Sequence, residues 1–256
     1  MLAYSFLVST GPAKVSSVLT PENYNTVLAT PAYLTILART VLITAESVPI
    51  ALILSYPISY YIVRTQSSLA RRSLLVVVVS MFFVSDIVRA YTFIPLLGRD
   101  GILNQVLSLL GLPHFPNLYS STSIAIGISN FLVPFAVLVL LGSLKAIDPN
   151  LEHAARSLGA GSIRTFIQIT FPLSLPGIAY TTIICIALSM GAFVTPLILG
   201  GGYILEISNF IYTQMTANFD YPLASAASFL LLSVTFILSF GLSKYFQRNL
   251  KEKWGV

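Results

Sequence analysis

The sequence predicts an all-α integral membrane protein, and two observations carry that prediction. Of 256 residues only 9% are charged, while 55% are hydrophobic and the mean hydropathy is +0.84. An average soluble domain carries about 25% charged residues, so this chain has too few polar groups to cover a water-facing surface. The apolar residues also gather into five stretches of the length a helix needs to cross a bilayer, about 20 residues for about 30 Å of hydrocarbon. Lipid admits only helices and closed barrels, because every backbone polar group must be satisfied within the protein. Barrel strands are short and alternate apolar with polar, and these runs do neither. The single cysteine, Cys185, excludes a disulfide scaffold. Its neighbours Ile184 and Ile186 mark it as a buried apolar filler.

Taken in order, residues 1–38 form an N-terminal segment. Met1–Val8 is apolar but too short to span, and it has no basic n-region, so a standard signal peptide is not expected. It is an interfacial or re-entrant piece, or the stump of a further span. Gly11–Pro31 reads as an exposed loop on the outer side. A transmembrane domain covers 39–247. Its first span, 39–63, is interrupted by Glu46, and its second, 73–97, by Asp86 and Arg89. The third (120–144), fourth (175–199) and fifth (221–243) carry no charge. Pro49, Pro57, Pro134 and Pro196 lie inside spans. Ordinary kinks are the favoured reading, since proline is common in membrane helices; a broken helix lining a path is the other. Residues 248–256 form a basic tail, and Lys244–Lys253 with Trp254 read as an inside anchor on acidic lipid.

The net charge of +5 is not a nucleic-acid signal, because the positive residues form no single patch. Ten of the fourteen Lys and Arg fall into three groups: Arg64, Arg71 and Arg72; Lys145, Arg156 and Arg164; Lys244, Arg248, Lys251 and Lys253. The intervening loops, 98–119 and 200–220, hold one basic residue, Arg99. This is the positive-inside pattern. It places the three groups and the C-terminus in the cytoplasm of a multi-pass membrane protein.

The stretch 145–174 is organised rather than a plain linker. Asp148 is placed to cap a helix with Pro149 in its first turn. Leu151, Ala154, Ala155 and Leu158 recur at helical spacing and give it one apolar face. Gly159 and Gly161 end it, a second helix covers 162–170, and Pro172 and Pro176 mark the return to the membrane. A short amphipathic pair of this kind suits a groove on a partner protein.

The same stretch resembles the EAA loop of permease subunits of binding-protein-dependent ABC importers. That pattern is Glu-Ala-Ala, three residues, Gly, nine residues, then Ile-x-Leu-Pro. Here it reads His153-Ala154-Ala155, Gly159, then Ile169-Thr170-Phe171-Pro172. The spacing is complete, with His153 in place of Glu, Glu152 one residue earlier, and Phe171 in place of Leu. Pro21-Glu22-Asn23-Tyr24, Tyr56-Pro57-Ile58-Ser59-Tyr60, Leu199-Gly200-Gly201-Gly202 and Asp220-Tyr221-Pro222 extend the similarity over most of the chain. The nearest resemblance is to the spermidine/putrescine branch. The resemblance implies a type I ABC importer permease-like bundle of five full spans plus a short N-terminal apolar segment. It implies cytoplasmic ABC ATPase subunits, a second permease subunit that is a different chain or a copy, an external solute-binding protein, and a small solute, with polyamine the first guess. On it, Leu151, Glu152, His153, Ala154, Ala155, Leu158, Gly159, Ala160 and Pro172 are the expected ATPase-coupling residues. No cofactor is implied.

No catalytic or metal-ligating constellation is present: His114 and His153 lack ligand spacing, and Gly159-Ala160-Gly161-Ser162 lacks the lysine of a phosphate loop. ATP hydrolysis is therefore expected on other chains. Candidates for the solute path are Glu46, Asp86, Tyr91, Asn130, Met190 and Phe193. Ionisable groups inside spans face cavities or one another. Asp86 has Arg89 at i+3 and reads as an internal pair. Glu46 either lines the path or bonds a neighbouring helix or Arg39. Two other classes stay open at this point: an ion-coupled secondary transporter, and a membrane scaffold recruiting a cytoplasmic partner.

Overall fold

The computed structural model describes residues 2–11, 14–114 and 118–254, with the side chains of Ser17, Gln247 and 249–254 outside that description. Helix α1 (Leu2–Ser5) leads into an antiparallel hairpin, β1 (Leu7–Gly11) and β2 (Lys14–Leu19), where sequence reading placed an exposed loop. Its Val- and Ser-rich strands suit a pleated surface, but what holds it is tertiary. From α2 (Glu22–Ala29), the Asn23 amide donates to the carbonyls of Ser5 and Leu7 at 3.0 and 2.7 Å. The Tyr24 hydroxyl donates to Ser5 Oγ at 2.8 Å.

Helix α3 (Pro31–Arg64) starts at Pro31 rather than Arg39 and runs through Pro49 and Pro57 without a break. The expected second span is two pieces. Helix α4 (Ser68–Ser80) is capped by Ser67 and passes through a short 3-10 turn at Met81–Phe83. Val84 and Ser85 are then extended, and a new helix, α5 (Asp86–Leu97), begins. Asp86 explains the break: a carboxylate is favoured in a first turn, beside unbonded N–H groups and the positive end of the helix dipole. Helix α6 (Ile102–Leu109) is short, and α7 (Ser121–Lys145) is one uninterrupted span despite Pro134.

Helix α8 (Pro149–Ser157) forms as its cap predicts, with Asp148 Oδ1 accepting from Asn150 N at 2.9 Å. It stops at Gly159, whose φ of +86° suits the residue without a side chain. Helix α9 (Ser162–Thr165) then continues through a π turn (Phe166–Thr170) into α10 (Phe171–Met190), so 162–190 is one helix. The second helix expected over 162–170 therefore does not end before the span; the widened turn before Pro172 absorbs the hydrogen bond that its ring removes. The fourth span breaks instead at 191–193, before α11 (Val194–Leu199). Helices α12 (Ile207–Thr216) and α13 (Tyr221–Trp254) complete the chain. Among the described residues, four helices are long and apolar enough to cross a membrane, five if α4 and α5 count as one broken span.

Two compact units are built from this chain. The first comprises Met1–Ser47, Ser85–Ser129 and Ala187–Leu238. Its core is Val27, Ile207, Phe210, Leu223 and Ala227, with Tyr33, Ile36 and Leu37 packed against them. The second comprises Val48–Val84, Asn130–Ile186 and Ser239–Val256. Its core is Leu140, Leu144 and Ile147 under Tyr56, Tyr60 and Ile178. There α7 and α10 approach so closely that a Cβ on Gly177 would overlap the Ser143 side chain. Small residues permit such contact between membrane helices. In the same unit, hydroxyls of α3 bond backbone carbonyls of α7: Ser55 to Val133 and Ser59 to Val137, both at 3.3 Å.

Candidate functional site

In the second unit α8 has two faces of opposite character. Glu152 turns inward and is 5% exposed. Its Oε1 accepts from Arg64 Nε and from Thr170 Oγ1, each at 2.9 Å, and its Oε2 from the Tyr60 hydroxyl at 3.4 Å. Arg64 also donates to the Ile147 carbonyl at 3.3 Å. A buried carboxylate is tolerable only with such pairing and hydrogen bonding. One side chain of α8 is thereby joined to the end of α3 and to the π turn before α10.

The opposite face is open. Leu151, His153 and Ala154 are exposed, Leu158 is 90% exposed, Gly159 is exposed, and Ala155 and Ala160 are half-buried. The apolar residues at helical spacing therefore face away from their own chain, as a docking surface requires. Pro172 is half-buried on α10, away from that face of α8. Sequence reading grouped Glu152 with the outward residues because it adjoins the motif; the structure separates it from them. It also left Arg64 as one more inside charge and gave Tyr60 and Thr170 no part. No local signal pointed to the pair, since Arg64 ends the first span and lies 88 residues before Glu152.

The candidate path residues do not converge. In the first unit Glu46 is exposed on α3, and among the described residues no hydrogen bond or ion pair to its carboxyl is found, so the alternative of a bond to Arg39 or a neighbouring helix is not realised. Asp86 is half exposed and sits 3.7 Å from Arg89 Nη1, the pair its i+3 spacing predicts. Tyr91 is exposed, whereas Met190 is buried and offers a solute no surface in this conformation. Phe193 is half-buried against Tyr212, ring centroids 4.9 Å apart. In the second unit Asn130 is half-buried on α7.

Residues that sequence reading missed hold the break in the fourth span. The Ser208 hydroxyl donates to the Ala192 carbonyl at 2.5 Å, and the Asn209 amide to the Phe193 carbonyl at 3.1 Å. Irregular backbone at membrane depth needs such partners. Nearby on α3, the hydroxyls of Thr44 and Ser47 each lie 3.0 Å from that of Ser189 on α10. Glu206, the N-cap residue of α12, is wholly buried, and burial pushes its carboxyl up to about 8.

Long apolar helices, with the chain broken at Val84–Ser85 and at 191–193, and a short helix offering an apolar face outward fit the membrane-spanning subunit of a transporter. The family described as binding-protein-dependent transport system inner membrane component matches residues 27–252, and the chain belongs to that family. It is 30% identical over 251 residues to the spermidine/putrescine transport system permease protein PotB of Haemophilus influenzae, covering 97% of this chain and 86% of that one. The PotB of Escherichia coli K12 is 29% identical over the same length, 97% of this chain and 90% of that one. Among solved structures, a bacterial alginate ABC transporter in complex with its alginate pentasaccharide-bound periplasmic protein has the same fold. Its TM-score is 0.71 at 20% identity, over 90% of this chain and 83% of that one. An inward-facing MetNI methionine ABC transporter gives 0.64 at 16% identity, over 86% of this chain and 98% of that one. The chain is thus an inner-membrane permease subunit with a type I importer fold, a transport component and not an enzyme.

Proposed function

We propose that this permease admits a small organic cation, with polyamines the first class to test. The observation that carries the reading is Glu46, a carboxylate exposed in the middle of an apolar span. A charge at that depth is costly against lipid and belongs to a water-filled path or a polar neighbour. Tyr91, exposed on α5 in the same unit as Glu46, is the next residue of that path, while Asp86 is engaged by Arg89 at 3.7 Å. The relatives named for spermidine and putrescine agree with it.

In this reading the end bearing Lys145–Arg164 and the C-terminal tail is cytoplasmic, as the basic loops favour. Leu151, His153, Ala154, Ala155 and Leu158 enter a groove on an ATPase subunit. A second permease chain completes the path, and an external binding protein delivers the solute. ATP binding closes the ATPase pair, moves α8, and drives the spans between inward-open and outward-open states. The test is uptake of labelled putrescine and spermidine by cells carrying the full complex, with and without Glu46→Gln. The reading expects ATP-dependent uptake that Glu46→Gln weakens. Uptake of every tested cation unaltered by that change removes Glu46 from the path.

A further inference from the structure

We infer that Glu152 is a positioning residue that locks the coupling helix to the first and fourth spans, so that motion imposed on α8 reaches the membrane without slack. The inference rests on the importer reading for what moves α8, but not for the lock itself.

Helix α8 has only nine residues, and a helix that short has little stability of its own. Its outward face is reserved for something else, since Leu158 is 90% exposed and Leu151 46%. It is therefore held from the inward face, and Glu152 is the buried residue there. Three groups converge on that carboxylate from two other elements. Arg64 and Tyr60 come from the last turns of α3, and Thr170, wholly buried, from the π turn. Arg64 reaches on to the Ile147 carbonyl and ties in the turn between α7 and α8.

Loss of one member of a buried pair leaves an uncompensated charge. A neutral apolar contact in its place would let α8 slide or rotate. The π turn matters here because such turns are single-turn distortions that recur at functional sites, and this one presents Thr170 Oγ1 to the same oxygen that Arg64 bonds.

The test uses the full complex in proteoliposomes and the chain alone in nanodiscs. Spin labels are placed at Tyr61→Cys on α3 and Ser157→Cys at the end of α8, both exposed, in a Cys185→Ser background. With Glu152 intact the label-to-label distance stays narrow and does not change on adding ATP to the complex, because the two elements move as one body. With Glu152→Ala the distribution broadens even in nanodiscs, and in the complex it shifts with ATP. Putrescine moved per ATP hydrolysed then falls about ten-fold, within ordinary site-to-site coupling, while ATPase subunits still co-purify. Glu152→Gln, which keeps an acceptor for Arg64 and Thr170, falls between. A Glu152→Ala distribution as narrow as the parent's overturns the inference, as does loss of ATPase co-purification with the distance unchanged, which would make Glu152 a docking contact. Absence of ATP-dependent putrescine uptake in the parent complex counts against the proposed function alone, since the nanodisc distances still decide the lock.

Discussion

Glu152 and Glu46 are both single acids in an apolar chain, and their surroundings are opposite. Glu152 is buried and accepts from Arg64, Thr170 and Tyr60. Glu46 is exposed, halfway along a span, with none of these. A buried charge with its hydrogen bonds complete belongs to the architecture. An exposed one within an apolar span is costly against lipid, and the proposed function gives it a cationic solute as counterpart. Two identical side chains thus separate into one that is buried and paired and one that is exposed and open to a partner.

The largest effect expected from breaking that contrast is Arg64→Ala. It strands the Glu152 carboxylate without its cation and should cost about 3–5 kcal/mol, read as a large drop in the detergent-solubilised melting temperature. Glu206 sharpens the contrast as the intermediate case, buried like Glu152 but with no ion pair among the described residues. Burial raises its pKa in the folded state to about 8 from an ordinary 4.5. The folded chain therefore binds the extra proton between those values. The stability this contributes is complete below about pH 4.5 and is lost as pH rises through 8, by up to about 1.4 kcal/mol per unit. Melting temperature should fall from pH 6 to 9 in the parent and stay flatter in Glu206→Gln.

Glu46→Gln should act in the other direction from Arg64→Ala. It should leave melting temperature unchanged or slightly higher, while uptake at low solute concentration falls about ten-fold, or about 1.4 kcal/mol. Asp148→Ala tests how much α8 owes to its cap rather than to Glu152. It should cost about 1 kcal/mol, visible as faster hydrogen exchange over 149–157 with the Glu152 contacts retained.

What could be read in advance depended on how local the cause was. Helix α7 was legible because everything from Ser121 to Leu144 is uncharged, up to the closing Lys145. The α8 cap was legible because Asp148-Pro149 encodes it within two residues. The hairpin was hidden because it depends on Asn23 reaching the Ser5 and Leu7 carbonyls, a contact no periodicity reports. The break at Val84–Ser85 left a signal that was misread: Ser85-Asp86 is a helix start, but within a long apolar run it looked like a polar interruption. Pro172 and Pro176, read as the return to the membrane, gave no hint of where the fourth span breaks. Pro172 and Pro176 run inside a helix, and the chain breaks near Gly191, where Ser208 and Asn209 take up the freed carbonyls. The inward turn of Glu152 was out of reach because both faces of α8 carry plausible partners, and only the packing of Arg64 and Thr170 chooses between them.

The π turn at Phe166–Thr170 also sets the angular phase of α10. One additional residue in a turn offsets every later side chain by about 100° from an unbroken α-helix. Ser174 meets the Tyr56 hydroxyl at 2.8 Å, and Gly177 lies against Ser143, only with that offset in place. Deleting one residue from 166–170 would keep the helix and its composition, yet swing those positions away from their partners. A single unit of chain length decides which side of a twenty-residue span is its inside.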